Sequence, residues 1–407
     1  MPDPRLALFY ALNFCALGVT LPYLAPWLAS RGVDPATTGT IAAAPSFAVL
    51  GAAFALGALA DRLADRRTAI VALSWVSCAA YACLFAADGP WGIGLVWTVA
   101  GTLLLATMPI LDGAALARSR ARGTPWGPVR AFGSAGFIVG LTAGGLLFER
   151  AGPGAFVPAV AAVALARALA ATALPRFARP APEAASAGAP PAGAPAAPVA
   201  ASPGAAGSTA ASPPGGAILR HPGFLAVLLG AALINGSHAF LYTFGLLHWT
   251  RAGISESLAS ALWTASIAAE VVLLWRFAAI ARRVSARGCL LLAAAAAALR
   301  WLATATDPHW LALLGLQTLH AASFGLTCVA TASFIARRAG EAFAARAQAL
   351  AATLSTATMA TLTLLSGALY EGLGADGYRV MAAVCALGAA LVALSYRTDL
   401  EDRPEPA

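Results

Sequence analysis

Lysine is absent from this chain, and charge of either sign is scarce. Charged residues make up 11% of 407 residues, against 59% hydrophobic. A soluble domain carries about 25% charged residues, so this chain lacks the polar groups to cover a water-facing surface of its size. Catalytic signatures are missing as well. No H-E-x-x-H, G-x-G-D or G-x-x-x-x-G-K-[ST] run occurs, which argues against an intramembrane enzyme and against ATP-driven transport. A channel would show repeated pore segments, and none is visible. Cys15, Cys78, Cys83, Cys289, Cys328 and Cys385 all fall in apolar stretches, with no CxxC or Cys/His metal spacing. They read as small core residues, and no metal or cofactor is expected. The first apolar stretch is too long for a signal-peptide core and has no small-residue cleavage site of the usual kind, so no cleavable signal is expected.

Long apolar runs are what the chain does have. Spans are expected near 6–29, 36–60, 68–87, 91–117, 129–150 and 154–174. A second set lies near 223–249, 256–280, 289–305, 310–335, 347–370 and 378–396. Each approaches the ~20 residues that a helix needs to cross a bilayer. Between the sets runs a Pro/Ala/Gly/Ser tract from Pro175 to Gly216 with almost no large apolar side chain. Such a tract buries no core and behaves as a tether. The expected organisation is an all-α membrane protein of twelve transmembrane helices in two six-helix halves. The halves are 1–174 and 223–396, with a cytoplasmic linker at 175–222 and a cytoplasmic tail at 397–407. Two halves built as repeats are the layout of a secondary transporter, and a monomer is expected.

The arginines orient it. All 26 basic residues are Arg, and the net charge is +8. With the N-terminus inside, 18 of them fall in one set of loops, including Arg62, Arg66, Arg67, Arg118, Arg120, Arg122, Arg282, Arg283, Arg287, Arg337 and Arg338. The opposite loops hold Arg31, Arg150, Arg251 and Arg379. The positive-inside rule then puts both termini in the cytoplasm of a multi-pass inner-membrane protein. This placement accounts for the basic charge without nucleic acid as a partner; the partners expected are the bilayer, a small-molecule substrate and protons.

The loop after the second span carries an ordered motif, Gly57-Ala58-Leu59-Ala60-Asp61-Arg62-Leu63-Ala64-Asp65-Arg66-Arg67. Gly57 allows close helix approach. Asp61 suits an arginine or the N-terminal end of a facing helix. Arg62, Arg66 and Arg67 suit headgroups and helix C-terminal carbonyls. The set reads as a gating latch that holds one conformation; the plainer alternative is an ordinary positive-inside loop. Ala281-Arg282-Arg283-Val284-Ser285-Ala286-Arg287 is a degenerate copy in the second half.

This motif resembles the cytoplasmic loop motif of the major facilitator superfamily, and the resemblance covers nearly the whole chain. Leu8-Phe9-Tyr10 through Gly18, Pro22-Tyr23, Pro109-Ile110-Leu111-Asp112 and Val129-Arg130-Ala131-Phe132-Gly133 are similar to its phenylpropionate-permease branch. So are Glu270, Arg300-Trp301 and the run Gln317-Thr318-Leu319-His320-Ala321-Ala322-Ser323-Phe324-Gly325. The resemblance implies proton-coupled uptake, often of aromatic carboxylic acids such as 3-phenylpropionate. Relatives include sugar and nucleoside symporters, so those substrates stay open. Gly136-x-x-x-Gly140-Leu141-x-x-Gly144-Gly145 resembles the antiporter motif with its central proline replaced by Leu141, which weighs against efflux by antiport. Close helix packing explains these glycines as well.

Ionisable residues inside spans are costly and need a partner, a wet cavity or a proton. Asp112 and Glu270 are the acidic residues clearly inside. Glu270, near the middle of its span, is the leading candidate to carry a proton. Its alternative is a permanent ion pair with Arg300 or Arg276. Asp112 and Arg130 sit at similar depth and suit a gating or structural pair, with proton coupling by Asp112 as the lesser alternative.

Polar stripes complete the site. Gln317 and His320 share a helix face, continued by Phe324. Asn235, His238 and Tyr242 form a comparable stripe, and Asn13 is a cavity candidate on the first span. His320 also titrates near neutral pH and is a second proton-coupling candidate. Arg300 suits a carboxylate, which a guanidinium clamps with two hydrogen bonds. Arg167 is an alternative anion site.

Overall fold

The computed structural model describes residues 3–177 and 217–398. No strand occurs among these residues. The expected linker and tail therefore lie mostly outside the described residues. Helices dominate because a bilayer offers no hydrogen-bond partner, so every backbone group must be satisfied within its own segment.

The first six helices are α1 (Pro4–Ser30), α2 (Pro35–Arg62), α3 (Arg66–Ala82), α4 (Gly89–Ala121), α5 (Gly127–Ala151) and α6 (Phe156–Thr172). Their starts are written locally. Asp3, Asp34 and Asp65 each cap a helix by accepting a backbone N–H, and Pro4 and Pro35 follow the first two caps. Hydrogen bonding from Thr37 holds the Asp34 carboxyl below the usual carboxylate range.

The next four helices are α7 (Pro222–Gly236), α8 (Ala239–Arg251), α9 (Glu256–Ala281) and α10 (Ala286–Thr304). Then follow α11 (Trp310–Thr318), α12 (Leu326–Arg338), α13 (Gly340–Leu373) and α14 (Gly377–Leu394). By length and composition, eleven continuous runs among the described residues could cross a membrane. The last, Gly340–Arg397, has 58 residues and breaks at Gly374–Asp376 into α13 and α14. Gly374 permits the break with φ +54°.

Two spans differ from unbroken helices. The run Pro222–Arg251 is interrupted at Ser237–His238, between α7 and α8. The run Trp310–Arg338 contains a π-helical segment, Ala321–Gly325, between α11 and α12. π-Segments arise from one extra residue per turn and gather at functional sites. Hydropathy is blind to both, since neither changes the apolar content of its span.

The chain divides into two compact units. The first comprises Met1–Ala187, Ala239–Thr264 and Ala360–Gly377. Here α1 packs on α5 through glycines. A Cβ on Gly140 would lie 3.0 Å from Cys15 Cα, and one on Gly18 would lie 2.9 Å from Leu141 N. Backbones this close leave no room for side chains, so the Gly136–Gly145 pattern serves packing here. Tyr23 Oη donates to Leu141 O at 2.7 Å across the same contact.

At the end that carries the α1–α2 loop, the first unit is closed by further backbone contacts. A Cβ on Gly39 of α2 would lie 2.8 Å from Gly367 Cα of α13. A Cβ on Gly145 of α5 would lie 2.8 Å from Glu256 O of α9. Glu149 accepts the Ser257 N–H at 3.0 Å beside it.

The second unit comprises Gly188–His238, Ala265–Met359 and Tyr378–Ala407. Its core gathers Phe224, Val227, Leu228, Leu290, Ala293, Ala330, Phe334, Ile335 and Val392. Gly230 and Gly388 let α7 and α14 touch: a Cβ on Gly230 would lie 2.7 Å from Gly388 O.

Candidate substrate and proton site

The second unit holds a buried polar cluster that joins three helices. Arg300 projects from α10 and is fully buried. It donates through Nη2 to Gln317 Oε1 at 2.5 Å, and through Nη1 toward His320 Nδ1 at 3.3 Å and Ser323 Oγ at 3.5 Å. His320 Nε2 lies 3.6 Å from Glu270 Oε2 of α9. Glu270 retains 8% of its surface.

The chemistry of the partners settles where the protons sit. A guanidinium only donates. The His320 Nδ1 it meets is therefore an acceptor, and the neutral ring carries its proton on Nε2, facing Glu270. His238 Nδ1 lies 3.1 Å from the Asn235 carbonyl and donates to it. Its Nε2, 3.0 Å away, then accepts from the Ser323 hydroxyl, whose oxygen in turn receives Arg300. Both imidazoles are held neutral and in one orientation.

Aromatic rings wall this network. Phe324 stacks on His320 at 5.0 Å and 10°. His238 meets Trp301, His320 and Phe324 edge-on at 5.0, 5.3 and 5.5 Å. Trp301 Nε1 donates to Ser237 Oγ at 2.9 Å, which anchors the break before α8. The break and the π-segment bring His238, His320, Ser323 and Phe324 to one place. Gly325 leaves space for the carboxyl, since a Cβ there would lie 2.9 Å from Glu270 Cγ.

Seven expected residues thus gather in the second unit: Glu270, Arg300, Gln317, His320, Phe324, His238 and Asn235. Asn235 Nδ2 donates to Cys328 Sγ at 3.6 Å. Tyr242 was expected to continue the stripe of Asn235 and His238 past Ser237–His238. It lies on α8 in the first unit and packs on Trp263 at 5.6 Å. The His320 ring bridges Arg300 and Glu270. Ser323 was not singled out as a site residue, although it lies on the face of His320, three residues on.

Asn13, Asp112 and Arg130 belong to the first unit. Arg130 Nε lies 3.9 Å from Asp112 Oδ1, which also accepts the Tyr10 hydroxyl at 2.6 Å. Trp126 Nε1 donates to Tyr10 Oη at 3.1 Å, and the Arg130 guanidinium lies 4.2 Å from the Phe14 ring centroid. Tyr10 and Trp126 were missed because each partner is more than a hundred residues away in the chain. Asn13 accepts from Arg167 Nη1 at 3.1 Å and donates to Met108 Sδ at 2.9 Å.

The loop motif folds back on its own half. Asp61 pairs with Arg66 at 2.7 Å in an exposed position. Gly57 lies within α2 and Arg62 in its last turn. Arg67 donates to the Thr172 carbonyl at the end of α6. Asp65 accepts both the Arg67 N–H at 2.9 Å and the Phe177 N–H at 3.0 Å, so it ties the end of the first six helices to the start of α3. Asp65→Ala removes that double acceptor. Loss of an N-cap costs about 1 kcal/mol, so a lower unfolding temperature in detergent is expected, measured against Asp61→Ala as the exposed control.

The comparisons agree with this architecture. The chain is 29% identical over 390 residues to the Escherichia coli (strain K12) protein named "Probable 3-phenylpropionic acid transporter", covering 93% of this chain and 94% of that one. It is 27% identical over 394 residues to the maltose permease of Geobacillus stearothermophilus, covering 95% and 92%. Among solved structures, the nucleoside transporter NupG superposes with a TM-score of 0.78 at 16% identity, covering 97% of this chain and 99% of that one. An auto-inhibited POT family peptide transporter gives 0.69 at 14% identity, covering 99% and 98%. Residues 4–379 match the MFS_1 like family. The chain therefore belongs to the MFS_1 like family and is a secondary transporter of the major facilitator fold, not an enzyme.

Proposed function

We propose that this transporter takes up a small carboxylic acid, an aromatic one such as 3-phenylpropionate, together with a proton. The observation that carries the reading is the chain Arg300–His320–Glu270, one fixed cation and one carboxyl linked by a neutral imidazole. A dry site holds one cation against one anion at low cost and a second anion only at high cost. When the substrate carboxylate takes Arg300, Glu270 must hold a proton. When substrate leaves, Glu270 releases it and, as a carboxylate accepting from His320 Nε2–H, balances Arg300 again. Gln317 and Ser323 orient the guanidinium, and Phe324 offers a face to an aromatic ring.

On this reading the protein works as a monomer in the inner membrane, with both termini in the cytoplasm. It has two six-helix halves joined at 175–222, and the 57–67 motif with Asp112 and Arg130 gates the cytoplasmic side. The test is uptake of 3-phenylpropionate into proteoliposomes under an imposed pH gradient. Accumulation that follows the gradient and collapses with a protonophore supports the proposal; equilibration without accumulation removes the proton. The maltose permease relative motivates a sugar as the second reading. Maltose uptake undiminished by excess 3-phenylpropionate would favour it.

Gly325→Ala gives a further test. Its methyl group enters the space of the Glu270 side chain and displaces the carboxyl from His320. Gradient-driven uptake should fall at least fivefold at unchanged membrane level, read by transport assay and immunoblot. Gly315→Ala on the same span has open space and should be near wild type.

A further inference from the structure

Arg167 is fully buried on α6, and its side chain is hard to explain by packing alone. Among the described residues no carboxylate lies within 4.0 Å of it, and its Nη2 is buried without a hydrogen-bond partner. Burying an unpaired guanidinium is expensive. Its Nη1 donates to Asn13 Oδ1 at 3.1 Å.

That bond has a directional consequence. Arg167 only donates, so Asn13 must turn its oxygen toward α6 and its NH2 group toward α4. There the NH2 meets the Met108 thioether at 2.9 Å. A thioether is a weak acceptor on a flexible side chain. Asn13 thus holds a donor, polarised by a full positive charge behind it, against a placeholder that a better acceptor can displace.

We infer that the Asn13 NH2 group donates to a substrate oxygen in place of Met108, and that Arg167 is the positioning residue that holds the amide this way round. The acceptor class, a carboxylate oxygen, rests on the reading given under Proposed function. The contact itself rests on the Arg167–Asn13–Met108 chain, which lies entirely in the first unit.

Asn13→Asp separates this role from a structural one. Aspartate pairs with Arg167 and supplies its missing counter-charge, so thermal stability should equal or exceed wild type. The same change removes the donor and turns a negative charge on the substrate, so KM for 3-phenylpropionate should rise at least tenfold. The assay is exchange without a pH gradient, which is insensitive to whether transport is coupled to protons. Arg167→Gln should raise KM with kcat changed less, and Arg167→Lys should restore much of it. Unchanged KM in Asn13→Asp, or equal loss in Arg167→Gln and Arg167→Lys, would overturn the inference. If wild type exchanges maltose or uridine but not 3-phenylpropionate, the carboxylate reading fails alone. The Gln-against-Lys comparison with that solute then decides the role of Arg167, a rise with Gln rescued by Lys upholding it and no rise rejecting it.

Discussion

Glu270→Gln should abolish accumulation of substrate against a gradient and leave exchange running. A pH difference of one unit is worth about 1.4 kcal/mol, so one coupled proton supports roughly tenfold accumulation. With glutamine in place, the ratio of internal to external substrate should settle near one. Glutamine keeps the shape and still offers an oxygen to the His320 Nε2 proton, which now faces Glu270 at 3.6 Å. Exchange needs no net release of a proton and should stay within a few-fold of wild type. The competing reading makes a different prediction. If Glu270 merely balances Arg300, the glutamine variant leaves a buried cation uncompensated, and both activities should fall with stability. Adding Arg300→Gln should then recover the lost stability. Normal accumulation in Glu270→Gln would move the proton to His320 or Asp112.

Gly367→Leu should hold the transporter open at the end that Gly39 and Gly367 now close. A Cβ on Gly367 would lie 2.9 Å from Ala36 Cα, so even alanine is crowded and leucine has nowhere to go. Overpacking of a filled contact costs about 1–3 kcal/mol, which shifts the closed population by roughly 5- to 150-fold. Transport should drop to a tenth or less of wild type, while substrate binding persists in a thermal-shift assay. Single cysteines placed in the α1–α2 loop side of the bundle should react faster with a membrane-impermeant maleimide. Transport near wild type with unchanged reactivity would show that closure does not depend on this contact.

Sequence patterns revealed the spans because a bilayer imposes a length and an apolar content that few soluble helices share. They also pointed to Glu270, Arg300, Gln317, His320 and Phe324, since a polar side chain in an apolar span stands out locally. What hydropathy could not carry was the break at Ser237–His238 and the π-segment at Ala321–Gly325, both made of ordinary small residues. Arg130 was legible as a partner of Asp112, whereas Arg167 beside Asn13 and the Tyr10 hydroxyl on Asp112 were not, for a different reason. Arg167 is 154 positions from Asn13 and Tyr10 is 102 from Asp112, and no local rule links residues so far apart. Asp65 was passed over in favour of Asp61 because motif spacing alone does not say which of two aspartates turns inward.

The π-segment also sets a ruler along its helix. Each α-helical residue turns the chain by about 100° and raises it by 1.5 Å. A π-turn absorbs one residue without advancing the α-helical phase as an ordinary turn would. The stretch Gln317–Ser323 and the stretch Leu326–Arg338 are consequently out of step with an uninterrupted count. Regular α-helical winding of the same residues, with no π-turn to absorb the extra one, would rotate one stretch against the other by that single step. Phe334 and Ile335, seated in the core of the second unit, would then be aligned only if His320 faced away from Glu270. The buried apolar contacts at one end of this span thereby dictate the aim of an imidazole several turns away.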